Sequence, residues 1–170
     1  MNEGLERINQ ASTSEAASMF EDCCGSGTWA SMMTMVRPFG SEDELMRIAA
    51  AVWNDLQTED WLEAFSAHPQ IGESKTPPRQ PARSAEWSAR EQAGVSSADD
   101  AVRQELADAN RAYYEKFGFI FIVCATGKSA GEMLELCRQR LANDRETEIA
   151  TAAAEQQKIT ELRLRKLLSL

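Results

Sequence analysis

Apolar positions recur along most of the chain at the spacing of an α-helix. Between residues 45 and 56 they fall on one face, and the set is Leu45, Ile48, Ala49, Val52 and Leu56. Similar patterns cover 12–20, 28–36, 61–67, 84–92, 97–117, 129–141 and the chain from 144 to its end. We therefore predict an all-α protein, a single-domain helical bundle of roughly seven to nine helices over residues 1–170.

Residues that begin and end helices support this reading. Ser12 and Ser41 each stand three residues before a glutamate, which is the capping-box pattern of a helix N-terminus. Ser129 is predicted to cap a later helix in the same way. Pro38 and Gly118 are predicted to end helices, because proline restricts the residue before it and glycine accepts a left-handed backbone.

One apolar run has no helical spacing. It comprises Phe119, Ile120, Phe121, Ile122 and Val123, and it looks β-like but has no partner strand in the sequence. We predict a buried extended segment. It is either ordinary core or a ledge whose backbone N–H and C=O groups bind a flat polar heterocycle, since buried backbone groups need partners. Residues 74–83, which are polar and rich in proline, are expected to form a surface loop.

Composition and charge exclude several classes of function. The 170 residues carry 27 acidic and 18 basic side chains, a formal net charge of -9, which argues against a nucleic-acid partner. An apolar run of about 18 residues is absent from the sequence, so we expect no membrane span and a cytoplasmic protein. The four cysteines, with one histidine and no C-x-x-C pair, predict reduced thiols and no metal site.

That one histidine, His68, is the first candidate for chemistry. It lies at a predicted helix end and precedes Pro69, which restricts its backbone. Imidazole titrates near neutral pH and can both donate and accept a proton. The residue types alone leave a second interpretation open, in which His68 only stabilises the helix C-terminus.

Other polar residues could complete a site. Ser88, Glu91 and Gln92 share a short helical stretch, where a carboxylate could orient an imidazole or accept N–H groups of a urea-like molecule. Arg163 could bind a carboxylate through two parallel hydrogen bonds. For each of these residues the ordinary alternative is a solvated helix face or a surface ion pair.

Together these segments resemble the 2-oxo-4-hydroxy-4-carboxy-5-ureidoimidazoline (OHCU) decarboxylase family. The resemblance covers nearly the whole chain, including FEDCCGSGTW at 20–29, DWLEAFSAHPQIGE at 60–73, KFGFIFIVCATG at 116–127 and RLAND at 140–144. The strings HPQIGE and FGFIFIVCATG, in this order, are the most specific.

The resemblance implies that the chain is a lyase of urate and purine breakdown that converts OHCU to (S)-allantoin with no metal or organic cofactor. It also implies a homodimer. By motif, His68, Glu91 and Arg163 would be catalytic. The residues that would bind the ureidoimidazoline substrate are Pro69, Ser88, Gln92, Phe119, Ile120, Phe121, Ile122 and Val123.

Two other functions remain open from the sequence. The chain could be a hydrolase or isomerase that uses His68 on a related ureide. It could also be a non-enzymatic helical dimerisation module, in which HPQIGE is only a tight connection between helices.

Overall fold

The structure, a computed structural model, describes residues 2–72 and 77–170. Within them it contains ten α-helices and no strand, which confirms the all-α prediction. The helices are α1 (Glu3–Gln10), α2 (Thr13–Cys23), α3 (Gly27–Met35), α4 (Glu42–Asn54), α5 (Thr58–Ser66), α6 (Ala82–Glu91), α7 (Ala93–Ser96), α8 (Asp100–Phe117), α9 (Ala130–Arg140) and α10 (Arg145–Leu168).

The helix count exceeds the predicted range because of two short helices. Helix α1 is capped by Asn2, whose side chain accepts the N–H of Gly4, and it buries Leu5 and Ile8. Helix α7 has only four residues and follows α6 directly, so the sequence pattern merges the two. Residue contacts divide the described chain into two compact units, 2–64 with 157–170 and 65–156. The single domain over 1–170 stays a prediction.

The first unit has an aromatic core. Phe20 of α2 packs edge-on against Trp29 of α3 and against Phe39, and all three are buried. The indole N–H of Trp29 donates to the Ala49 carbonyl of α4 at 3.1 Å, so its polar atom is satisfied inside the core. These contacts join α2, α3 and α4.

The second unit is built around Tyr113 of α8. Its ring contacts Phe117, Phe119 and Phe121, with ring centroids 4.6 to 5.8 Å apart. Helix α8 packs on α9 and ends at Gly118, whose φ of 78° is the left-handed conformation that glycine accepts without strain. The predicted end of this helix is confirmed, and the turn leads straight into Phe119.

Candidate active site

His68 lies two residues beyond the end of α5. Its backbone N–H donates to the Phe65 carbonyl at 3.2 Å, so the chain makes one more turn before Pro69. The ring is half-buried, and its Nε2 atom lies 2.6 Å from Oε1 of Gln156. Gln156, on α10, is completely buried. The imidazole is therefore held by a side chain 88 residues away in sequence.

Side chains of the second unit also hold the loop that follows Pro69. The Gly72 N–H donates to Oε1 of Gln92 at 3.1 Å, and Nδ2 of Asn110 donates to the Ile71 carbonyl at 2.9 Å. Gly72 adopts a φ of 87°, which favours glycine. Gln92, predicted to bind substrate, thus has its amide oxygen bonded to the loop. Glu73 of the HPQIGE motif lies outside the described residues.

Ser88 is buried on α6 and contacts a residue of the proline-rich stretch. Nε2 of Gln80 donates to its hydroxyl oxygen at 2.7 Å. Gln80 is itself buried, so the surface loop predicted for 74–83, of which 74–76 lie outside the described residues, has one buried residue among exposed and half-buried ones. Glu91, the last residue of α6, is half-buried one turn beyond Ser88.

The Phe119–Val123 segment is non-helical, and four of its five residues are buried. Among the described residues, no backbone–backbone hydrogen bond outside the helices involves it. The Ile122 carbonyl instead accepts from Nη1 of Arg140 at 2.6 Å. The prediction of a buried segment without a partner strand is confirmed, and a charged side chain supplies one of the missing bonds.

Cys124, directly after this segment, is held at both backbone groups. Its N–H donates to Oε2 of Glu155 at 2.8 Å, and its carbonyl accepts from Nζ of Lys128 at 2.7 Å. Burial raises the pKa of its thiol, with further contributions from the charges of Glu155 and Glu91. Glu91 therefore lies within electrostatic range of Cys124, the residue that follows the extended segment.

A buried ion pair stabilises the same part of the second unit. Nε of Arg140 donates to Oε1 of Glu148 at 2.6 Å, and the Tyr113 hydroxyl donates to the same carboxylate oxygen. Asn143 donates to the other oxygen at 3.0 Å. The RLAND motif thus supplies a guanidinium and an amide to one buried carboxylate, and the guanidinium also bonds to Ile122.

Arg163 belongs to the first unit, where only 2% of its surface is exposed. Its Nη1 lies 3.5 Å from the Asp22 carbonyl oxygen. Burial raises the pKa of the neighbouring Cys24 thiol to about 11, and hydrogen bonds from Ser26 and Thr160 and the charge of Arg163 partly oppose this rise. The alternative interpretation, in which Arg163 lies on a solvated helix face or in a surface ion pair, is therefore wrong.

The residues of the predicted site divide between the two units. His68, Pro69, Ser88, Glu91, Gln92 and the Phe119–Val123 segment all belong to the second unit. Sequence reasoning did not identify Gln156, Glu155 or Gln80. Only Gln156 left a signal, because it is a polar residue in the inward stripe of the last helix.

The described residues contain no cluster of three or more histidine, cysteine, aspartate or glutamate side chains that could hold a metal ion. In the same part of the chain, every helix is too short or too polar to cross a membrane.

Comparisons with known proteins agree on one family. A family model described as OHCU decarboxylase matches residues 9–165. The uric acid degradation bifunctional protein TTL of Arabidopsis thaliana is 40% identical over 147 residues, which cover 86% of this chain. This chain spans only 45% of the length of that plant protein.

A shorter relative matches almost end to end. The 2-oxo-4-hydroxy-4-carboxy-5-ureidoimidazoline decarboxylase of Halalkalicoccus jeotgali is 29% identical over 166 residues, which cover 96% of this chain and 90% of the relative. A crystal structure of OHCU decarboxylase in the presence of (S)-allantoin has a TM-score of 0.76 and 41% identity, and the match covers 89% of this chain and 97% of that one. The chain belongs to the OHCU decarboxylase family.

Proposed function

We propose that this chain catalyses the decarboxylation of 2-oxo-4-hydroxy-4-carboxy-5-ureidoimidazoline to (S)-allantoin, with His68 as the acid and base. The observation that carries the proposal is the hydrogen bond between His68 and the buried Gln156, in a chain whose family is established. A half-buried imidazole at a fixed angle can transfer a proton to one face of a bound molecule.

The chemistry of the substrate suits a site with one imidazole. Loss of CO2 releases an electron pair that forms a double bond to the adjacent C=N carbon, while the electrons of that C=N move onto its nitrogen, which takes up a proton. Protonation of the former C=N carbon on one face, as the hydroxyl group loses its proton and becomes the carbonyl, then gives a single enantiomer of the product. The protein has to bind the substrate, orient it and supply the proton.

Other residues take supporting roles in this proposal. Glu91 either binds the ureido N–H groups of the substrate or orients His68. Ser88 and Pro69 contact the substrate. The Phe119–Val123 segment offers backbone N–H and C=O groups to the polar ring of the substrate. Gln92 acts mainly through the loop that contains Gly72, because its amide oxygen accepts that backbone N–H.

Arg163 is proposed to bind polar substrate groups, the carboxylate in particular. Its burial supports this role, because a guanidinium removed from water gains strongly from a paired carboxylate. The homodimer implied by the resemblance and the cytoplasmic location expected from the sequence stay predictions.

The experiment that tests the proposal compares the wild-type protein with His68→Ala. Freshly generated OHCU is added, and CO2 release and circular dichroism of the product are followed together. We expect the wild type to accelerate CO2 release and to give optically active (S)-allantoin. His68→Ala should lose at least about a hundredfold in kcat/KM, because its proton donor is gone.

Each contrary result has a distinct meaning. A wild-type rate in His68→Ala would remove His68 from the mechanism. Turnover of a related ureide without CO2 release would favour a hydrolase or isomerase. No effect of the wild type on the spontaneous decay of OHCU would favour the non-enzymatic dimerisation module.

A further inference from the structure

Gln156 is a buried polar residue to which the proposed function assigns no chemical role of its own. It lies on α10, has no exposed surface, and places Oε1 2.6 Å from Nε2 of His68. We propose that Gln156 is a positioning residue, which keeps the neutral imidazole protonated on Nε2 and so leaves Nδ1 as the nitrogen that accepts a proton. This inference rests on the proposed function, since it assigns a role within that reaction.

The argument begins with the chemistry of the two atoms. An amide oxygen has lone pairs and no hydrogen, so it can only accept a hydrogen bond. A neutral imidazole carries one N–H, on either Nδ1 or Nε2. With the proton on Nδ1, two lone pairs would face each other across 2.6 Å, which is repulsive. The Nε2–H tautomer turns that contact into a hydrogen bond.

The position of Gln156 on α10 explains how it can hold the His68 ring in a fixed orientation. The preceding residue, Glu155, accepts the Cys124 N–H at 2.8 Å. Two consecutive residues of one helix therefore hold the end of the extended segment and the ring of His68. The helix backbone fixes the relation between the two, so a substrate bound along the segment meets an imidazole of defined orientation and tautomer.

The test uses the fact that His68 is the only histidine in the chain. Nitrogen NMR of the ¹⁵N-labelled protein, purified without a histidine tag, then reports this one ring. Spectra are recorded at a series of alkaline pH values, up to the point where the ring signals no longer change with pH and the imidazole is neutral. We expect the Nε2–H tautomer in the wild type. Nδ1–H as the main form would overturn the proposal.

Variants at Gln156 connect the tautomer to the reaction. Gln156→Met preserves side-chain length and removes the amide acceptor, and we expect a mixture of tautomers and a loss of kcat of at least about tenfold. Gln156→Glu preserves an acceptor oxygen and should retain Nε2–H with most of the activity. Gln139→Met is the matched control, because Gln139 is exposed on α9 and bonds to Glu135.

The outcomes separate this inference from the proposed function. If Gln156→Met retains both the wild-type tautomer and kcat, the positioning role is wrong. If Gln156→Met does not fold, the wild-type spectrum and Gln156→Glu decide, because loss of Nε2–H in the glutamate variant would also contradict the role. A wild type that does not decarboxylate OHCU overturns the proposed function, whereas the spectrum still reports the His68 tautomer.

Discussion

At the scale of single residues, Arg163 is a cation with almost no access to water. Burying a guanidinium is unfavourable unless hydrogen bonds or an anion compensate. In the first unit, Arg163 lies near the Cys24 thiol, and its Nη1 lies 3.5 Å from the Asp22 carbonyl oxygen. The role proposed for it, binding of the substrate carboxylate, depends on the planar shape of the guanidinium as well as on its charge.

Arg163→Lys tests this role directly. Lysine preserves the charge but loses the planar fork that holds a carboxylate through two bonds, so we expect kcat/KM to fall by about tenfold or more. Steady-state kinetics measure the effect, and far-ultraviolet circular dichroism checks the fold. Arg165→Lys is the control, because Arg165 is exposed and paired with Glu161 at 2.8 Å. Equal kcat/KM values in both variants would remove Arg163 from the proposed site.

The sequence was informative about His68 and much less so about its neighbours. Its position before Pro69 and its family motif made His68 a candidate. Gln156 is distant in sequence, and a glutamine on a helix is ordinary, although its place among inward apolar residues was a usable signal. Gln92 was predicted to bind substrate, and its bond to Gly72 depends on a loop geometry that spacing does not encode.

At the scale of elements, helix ends followed local sequence rules closely. Ser12 and Glu15 form a reciprocal capping box, and Ser129 and Glu132 form another. At the third predicted capping box, the Ser41 side chain accepts the Glu44 N–H as predicted. The Glu44 carboxylate, however, accepts the Gly40 N–H, one residue earlier than a reciprocal box requires. Capping depends on nearby residues, which is why the sequence predicts it well.

Gly118→Ala tests the turn between α8 and the extended segment. A Cβ built at Gly118 meets no atom within 4 Å, so the expected cost comes from the φ of 78° alone. We expect the free energy of unfolding to fall by about 1–2 kcal/mol. Urea denaturation followed by circular dichroism provides the measurement.

Gly131→Ala is the matched control for that prediction. Gly131 lies inside α9, and its added Cβ would come no closer than 3.9 Å to the nearest atom, the Ser129 hydroxyl oxygen. Alanine should therefore raise the free energy of unfolding by up to about 1 kcal/mol, because it has the higher helix propensity. Substitutions that change stability in the same direction at both glycines would contradict the role assigned to the Gly118 backbone.

The burial and bonding partners of residues within an element were harder to predict, because they depend on contacts with residues distant in sequence. The apolar spacing of Phe119–Val123 predicted burial but not the bond from Arg140 to Ile122, because the partner depends on how α9 packs. The proline-rich stretch was predicted to be exposed, yet Gln80 is buried beside Ser88. Polar composition indicates a loop, but only tertiary packing decides which of its residues face inward.

At the scale of the whole molecule, the four cysteines connect packing to pH. All four are buried and not disulfide-bonded, with Cys23 and Cys24 in the first unit and Cys124 and Cys137 in the second. Burial raises the pKa of Cys24 and of Cys137 to about 11, and it also raises the pKa of Cys124. Each of these three native thiols thus binds its proton more tightly than the same thiol in the unfolded chain, where the pKa is about 8.5.

This difference predicts that the protein loses stability in alkali. A pKa raised by folding contributes stability that is fully present below the unfolded pKa and is lost as pH rises toward the folded pKa. The window for Cys24 and Cys137 therefore runs from about pH 8.5 to about pH 11. Across it, each thiol contributes up to about 1.4 kcal/mol per pH unit. Urea unfolding at a series of pH values measures the loss.

A double variant, Cys24→Ala with Cys137→Ala, isolates the contribution of the two thiols. It should be less stable than the wild type at neutral pH, because it leaves small cavities in both cores. Its free energy of unfolding should nevertheless fall less steeply between pH 8.5 and pH 11, since two of the groups that titrate there are gone. Parallel pH curves for the two proteins would show that the thiols do not control alkaline unfolding. The slope therefore tests the pKa values separately from the packing.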